Sequence, residues 1–415
     1  MEQVQKGSID YVTRVHDSPA GIAKPVWNDL LASKGHDTPF MRHEYLQALH
    51  ASGSAVERTG WTPYFVTLWQ GDTLQAACAL YRKSHSYGEY VFDWAWANAY
   101  EQHGLSYFPK AVVAVPFTPV PGTRLLARSA QARQALVRAL IDLCRSEGWS
   151  SLHLLFGADE DIEACAAEGL MLRHTVQFHW QAASPGQTQS TPDATARLEG
   201  IVGFEGFLAS LSQDKRKKIR QERRKVEQAG VRFRWARGTD ISAADWDFFY
   251  RCYERTYLEH GNPPYLSRDF FMRMARDLPQ AWLMFIAEHD GPAGRTPMAS
   301  SLIALSDDGR VAYGRYWGAL ERVDCLHFEA CYYQPLQWCM EHGVQRFEGG
   351  AQGEHKMARA LMPVKTTSAH WLAHPAFADA VQRFLDREGQ GVEGYLEHLQ
   401  ERSPFRKGKP PDSAG

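Results

Sequence analysis

One local pattern, a helix end closed by glycine and followed by a strand, occurs twice at a fixed distance. LCRSEGW carries Cys144 and Gly148, and WCMEHGV carries Cys339 and Gly343; both pairs lie 195 residues apart. A second pair of segments, GEYVFDWAW and GRVAYGRYW, aligns Gly88 with Gly309 and Trp96 with Trp317, both at 221. The difference of 26 is taken up by residues 98–128, where Pro109, Pro116, Pro119 and Pro121 interrupt an apolar run. A strand hairpin precedes each copy, LWQGDTLQAACAL in the first and AEHDGPAGRTPMASSLIAL in the second. Each half therefore reads as helices, two antiparallel strands, a third strand, a helix and another strand. Repeated order at repeated spacing predicts two copies of one mixed α/β (α+β) unit.

The local signals fill in this frame. WTPYFVTLWQ and LQAACALYRKS flank Gly71-Asp72, the signature of a β-hairpin. GEYVFDWAWA alternates like a third strand, and SSLHLLF, VRFRWARG and VQRFEGG read as further strands. Helices are expected at 25–34, 42–52, 129–147, 204–229, 243–260, 325–342 and 375–388, with another starting near Ser267. Asp240 or Ser242 is placed to cap the helix from 243, and Gly148 and Gly343 stand at helix ends. QAASPGQTQSTPDATARLEG is polar and rich in small residues, the mark of a linker. The expected organisation is a first domain over 1–185, a linker over 186–203, a second domain over 204–390 and an extension over 391–415 with a disordered tail.

Composition excludes several classes. The 415 residues are 44% hydrophobic and 23% charged, the balance of a globular chain. A formal net charge of -2 argues against coating nucleic acid through overall charge. The 7 cysteines are scattered without a C-x-x-C pair, so neither a disulfide framework nor a zinc ribbon is indicated. No run approaches the ~18 apolar residues of a membrane helix, and the N-terminus has no apolar signal region. A cytoplasmic protein with no metal and no tightly bound cofactor is the expectation.

Four long passages carry a specific resemblance: VFDWAWANAY, PFTPVPGTRLL, YWGALERVDCLHFEACYYQ and FEGGAQGEHKMARALMPVKTTSAHW. They resemble the N-acyltransferase family described as peptidoglycan-biosynthesis-like, related to the Fem-type aminoacyltransferases. The resemblance covers about residues 10–390. It implies tandem GNAT-like domains, each with a mixed, mostly antiparallel sheet that splays to admit an acyl arm. It also implies transfer of an acyl or aminoacyl group to a small-molecule amine acceptor by direct attack. The usual GNAT loop for the pyrophosphate of CoA, R/Q-x-x-G-x-G/A, has no clean copy. Acyl-CoA and aminoacyl-tRNA therefore both stand as candidate co-substrates, with tRNA a candidate partner.

Four constellations could carry such chemistry. At the start of the long helix, Glu329 and Tyr333 share a face at i,i+4, with His327, Tyr332 and Gln334 beside them. Glu329 is suited to accept the amine's proton and Tyr333 to supply one to the leaving group. Gln352, Gly353, His355, Lys356 and Arg359 follow a glycine-rich strand end. There His355 is a second candidate base, and Lys356 and Arg359 suit phosphate or carboxylate. Tyr316 and Trp317 close the strand before the long helix and join the substrate-binding set, and His370 is expected to return to the same sheet edge. In the first half, Asp93, Trp94, Trp96, Tyr100 and Arg124 are expected to form an aromatic wall for the acceptor. Finally, residues 214–225 hold eight basic residues among 12. Lys215, Arg216, Lys217 and Arg220 lie there in LSQDKRKKIR, which resembles a segment of the Fem-type enzymes and implies phosphate or nucleic-acid binding. Cys331 and Cys339 read as core.

Two other functions fit the same residues. One is a non-catalytic protein that binds a cell-wall precursor or acyl ligand. The other is a tRNA or nucleic-acid binder acting through the helix at 214–225.

Overall fold

The computed structural model describes residues 11–33, 38–182, 203–291, 294–351 and 353–405. The chain divides into two compact units, Met1–His174 with Thr366–Gly389, and Thr175–Lys365 with Gln390–Gly415. Neither is continuous in sequence, unlike the expected 1–185 and 204–390. Each unit takes a segment from the other half of the chain because its sheet needs one more strand than its own half provides. Most of the expected linker, 186–202, lies outside the described residues.

The first unit is built on β1 (Val12–His16), β2 (Trp61–Gln70), β3 (Thr73–Lys83), β4 (Lys110–Val113) and β6 (Ser151–Leu154), with the short β5 (Leu126–Ala127) paired to β3. Gly71, at φ 57, makes the β2–β3 turn that the sequence announces. Strand β4 runs antiparallel to β3 and parallel to β6, which forces a crossover, supplied by the helix Ala130–Ser146. That helix is capped by Ser129, whose side chain accepts from the Ala132 amide. It buries Leu136, Val137, Leu140 and Cys144 among Leu80, Val113 and Leu152. The outer partner of β6 comes from the end of the chain, where Ala369–Leu372 of β13 (Met362–Leu372) pairs antiparallel with it.

The segment read as a third strand is a loop followed by the helix Trp94–Gln102. Alternating aromatics suggest a strand. Trp96 and Tyr100 are also i,i+4 and fall together on one helical face, where both are buried against Tyr107, Leu372 and Leu385. The true third strand is β4, so the alignment of Trp96 with Trp317 joins a helix to a strand.

The second unit runs β7 (Met171–Gln181), β12 (Arg346–Ala351), β11 (Val311–Ala319), β10 (Gly294–Leu305), β9 (Trp282–Gly291) and β8 (Val231–Arg237). Its portion of β7 pairs antiparallel with β12 through Gln177–Gln181. As in the first unit, a meander leads to a third strand, β11, that is parallel to the strand after the central helix, β12. The same offset of 195 separates the first residues of β6 and β12, Ser151 and Arg346. Gly148 and Gly343 take φ 67 and 71 at the two helix ends, and Cys144 and Cys339 are fully buried beneath them. The repeat is thus real in the helix–glycine–strand segment. The fold is a mixed α/β arrangement of two units that share this strand–helix–strand order. The last helix, expected to stop near 388, continues over Pro375–Glu401. Among the described residues no helix is long and apolar enough to cross a membrane.

Candidate functional site

The second unit opens where two parallel strands part. Strands β11 and β12 pair only through Val311–Tyr313 and Arg346–Glu348. Beyond them lies a crevice of about 150 Å³, lined by Gly314–Trp317 from β11, Phe347 and Gly349 from β12, and His327, Cys331 and Tyr332 from the central helix. Two irregularities hold the strands apart. The β10–β11 register slips between Leu302/Tyr316 and Ile303/Gly314, leaving Arg315 as an extra, bulged residue. The β12–β7 register slips between Glu348 and Ala351. Gly349 sits at that slip, where a Cβ would lie 2.3 Å from Leu361 and 3.0 Å from the Phe178 carbonyl, so only glycine fits.

The central helix has its own irregularity. The helix Leu326–Phe328 passes into a π turn at Glu329–Tyr333 and then into the helix Gln334–Glu341. Pro335 explains the wide turn, since it has no amide to donate and its ring would clash with the carbonyl four residues back. The carbonyl of Ala330, five residues before Pro335 and so facing no amide in the wide turn, accepts from the Ser301 hydroxyl of β10 at 2.6 Å. The turn sets Tyr332 toward the crevice. Its hydroxyl is 3.4 Å from His355 Nε2, and its ring is 5.7 Å from that of His327. Burial raises the phenol pKa of Tyr332, so it stays protonated. His327, at the open mouth, is shifted the other way, by desolvation first and then by His355, Arg359 and Lys356, so it stays neutral. The thiol of Cys331 is also held protonated by burial.

Other expected site residues face inward and brace this arrangement. Glu329 is 4% exposed, and its Oε1 accepts from Arg223 Nε at 3.1 Å and Gln334 Nε2 at 2.7 Å. Burial raises its pKa against the pull of Arg223. Glu329 is not in the crevice lining. Tyr333 donates to Glu222, which also accepts from Arg359 Nη2 at 2.7 Å. The Arg359 guanidinium lies 3.7 Å over the Phe328 ring and is 2% exposed, so it is a strut and offers no face to a phosphate. Lys356 is buried too. Its ammonium donates to the carbonyls of Gly349 at 2.7 Å and Gly350 at 3.2 Å, and burial lowers its pKa to about 8. It tethers the diverging end of β12. Gly353 takes φ 94 at the start of the 3-10 turn Glu354–Arg359, which leaves His355 exposed. Gln352 lies outside the described residues.

Helix Gln213–Gln228 is two-sided. Glu222 and Arg223 point in and lock it to the central helix through Tyr333 and Glu329. Lys217 and Arg220 are exposed and Lys215 and Arg216 half-buried, and Arg220 pairs with Glu205 at 2.7 Å.

In the first unit the expected acceptor wall is dismantled. Asp93 is buried with Lys110, which also bonds Glu89 Oε2 at 2.7 Å and Ser86 at 2.9 Å. Tyr107 donates to Asp93 at 2.7 Å and meets His153 Nε2 at 3.1 Å, and His153 meets His370 at 2.7 Å. Trp96 stacks on His153, and Tyr100 lies in the core, leaving Trp94, 40% exposed, as the one member on the surface. His370 therefore belongs to this buried network and not to the edge near His355. Arg124 is buried, and its guanidinium donates to the carbonyls of Val120, Gly122, Thr123 and Leu155. The network has the charged residue types of an active site, and each bonds a neighbour, while Glu89 Oε1, Asp93 Oδ1 and His370 Nε2 are buried without a hydrogen bond among the described residues.

Sequence reasoning passed over Arg315, Glu222 and Arg223. Arg315 had a signal, since Gly314 and Gly318 bracket Arg-Tyr-Trp in a strand, and glycines inside a strand mark bulges and close approaches. Gly318 has such an approach: a Cβ there would lie 2.0 Å from the Cys252 carbonyl.

A family model described as FemAB-like, peptidoglycan biosynthesis/recognition, matches residues 18–407. Among solved structures, the C-terminal domain of a protein described as a lysylphosphatidylglycerol synthetase from Agrobacterium fabrum aligns with TM-score 0.50 and 9% identity, covering 89% of this chain and 97% of its own. FemX aligns with TM-score 0.47 and 9% identity over 80% of this chain and 93% of its own. A tandem GNAT protein from the clavulanic acid pathway aligns with TM-score 0.44 and 12% identity over 88% and 99%. No curated protein matches the sequence. At 9% identity the likeness to the Agrobacterium domain speaks for the fold alone.

Proposed function

Because the chain belongs to the FemAB-like family of peptidoglycan biosynthesis and recognition, we propose that its second unit transfers an acyl or aminoacyl group from an activated donor to an amine. The observation that carries this reading is the parting of β11 from β12 after Tyr313 and Glu348, with a bulge on one lip and a histidine and a tyrosine on the opposing helix.

In this reading the donor's carbonyl enters the crevice. Backbone amides along the parted edge of β11 receive the oxyanion as the amine attacks. Neutral His327 takes the proton that the nitrogen must lose. Tyr332, kept protonated by burial, gives its proton to the departing sulfur or ribose oxygen and is recharged through His355. Glu329, Tyr333, Lys356 and Arg359 act one step back. They fix the π turn and the end of β12, so their removal would misplace the reacting groups.

The crevice does not distinguish a thioester from an aminoacyl ester. The exposed side of the basic helix is consistent with a polyanionic donor of either kind. The test is a transfer assay with acyl-CoA and aminoacyl-tRNA panels against a mixture of amines. Turnover is expected with one donor class. Binding without turnover by any donor would favour the ligand-binding reading.

A further inference from the structure

A second hollow lies at the other end of the central helix. It measures about 400 Å³ and is formed where that helix stops, between the β10–β11 turn and Arg237, the last residue of β8. His327 and His342 stand at the two ends of the helix, about 20 Å apart at ~1.5 Å per residue, so the hollow is separate from the crevice. Its volume is within the ~300–1,000 Å³ of small-molecule sites.

Three kinds of group meet there. The first is a flat ring. His342 is exposed, yet its imidazole is held in place. It stacks on Trp338 with centroids 4.0 Å apart and planes 12° from parallel, its Nδ1 donates to the Trp338 carbonyl at 2.8 Å, and the Trp235 ring stands edge-on at 5.5 Å. A ring already fixed in this way offers a stacking face that loses little freedom when a ligand covers it. The second is a cation. Arg237 is exposed and has no carboxylate partner among the described residues; its guanidinium lies 5.9 Å from the centre of the Trp338 ring. A guanidinium is well matched to a phosphate. The third is a fixed carboxylate. Asp308 Oδ1 accepts from Ser306 Oγ at 2.6 Å and from the Arg310 amide at 2.9 Å, while Oδ2 is only loosely paired, 3.6 Å from Arg310 Nε. Such an oxygen still has lone pairs for hydroxyl donors. Asp307 and Arg310 also line the hollow, so its two guanidinium and two carboxylate groups balance. The lining therefore suits a ligand with one anionic end, a hydroxylated middle and a flat ring, and disfavours a bare polyanion.

We infer that this hollow is a binding site for a free mononucleotide, with the base stacked on His342, the ribose hydroxyls toward Asp308 and the phosphate on Arg237. The inference stands apart from the transferase reading, since it uses no residue of the crevice and its test needs no turnover.

Adenosine 5′-monophosphate serves as the probe, because stacking is tolerant of the base. It is titrated against the full chain by calorimetry, beside adenosine and ribose 5-phosphate, which lack the phosphate and the base. Saturable binding of the mononucleotide is expected, with each truncated probe at least about tenfold weaker. Arg237→Gln should weaken the mononucleotide to the level of adenosine, and His342→Ala to the level of ribose 5-phosphate. Both side chains are exposed, so the thermal midpoint should hold in each variant. His327→Ala, in the crevice, should leave the affinity as it is. No saturable binding, equal affinity for the three probes, or binding that His327→Ala abolishes and Arg237→Gln leaves intact would overturn the inference.

Discussion

The two units differ most at the place where they are most alike. In each, the third strand and the strand after the central helix pair in parallel over three residues, Ala111–Val113 with Leu152–Leu154 and Val311–Tyr313 with Arg346–Glu348. In the second unit the strands then part around an open crevice. In the first, the chain leaving β4 turns back and takes that space. Gly122 bridges Gly157, and Arg124 ties the loop to carbonyls on both sides. The Asp161 carboxylate accepts from the amides of Arg124 and Leu125. The Pro-interrupted insertion that sets the two repeats out of step therefore fills one cleft. The comparison teaches that one duplicated frame can serve as a scaffold or as a site, depending on what occupies the gap between two strands.

Substitutions can break this contrast. The largest effect is expected from His327→Ala, which removes the proton acceptor from the open crevice. Turnover should fall about 10²–10⁴-fold with the thermal midpoint unchanged. Full activity in this variant would remove His327 from the chemistry. Lys110→Met addresses the closed unit. It removes the ammonium that joins the buried carboxylates of Glu89 and Asp93, leaving only Lys83 and the Tyr107 hydroxyl beside them, and breaking a buried ion pair costs about 3–5 kcal/mol. Chemical denaturation should show that loss, while the folded fraction keeps its turnover number; a loss of turnover with stability intact would move the site to the first unit. Tyr332→Phe is expected to be milder, since solvent can replace a terminal acid, with roughly a tenfold fall in turnover. The smallest effect is in the pH profile. A base whose folded pKa lies below 6.5 is neutral above that value and is lost as pH falls through it. The acidic limb of turnover should therefore lie below pH 6.5, toward about 4, and a limb at or above 6.5 would exclude His327 in its observed setting.

What the sequence displayed was local. Gly148 and Gly343 announced helix ends, Gly71-Asp72 a hairpin, and Ser242 and Ser267 helix starts, because each signal acts within four residues. The exchange of β7 and β13 between units was invisible, since strand partners are chosen by register over long separations. The candidate site was half legible for the same reason. The passages 326–334 and 347–359 do converge, but charge alone could not say that Lys356 and Arg359 would be consumed by Gly349, Gly350 and Glu222. Nor could alternation separate a strand from a helix at Trp94–Gln102, where the choice is made by the packing of Trp96 and Tyr100. Arg315 was missed because a bulge is a relation between two strands.

The most direct test of the central claim is a crystal structure with a hydrolysis-resistant donor analogue, either a thioether of acyl-CoA or an amide of aminoacyl-adenosine. The account predicts one analogue bound with its carbonyl between β11 and β12, within hydrogen-bond reach of the parted edge of β11 and beside His327 and Tyr332. An analogue bound in the first unit, or on the second unit away from that crevice, would contradict it.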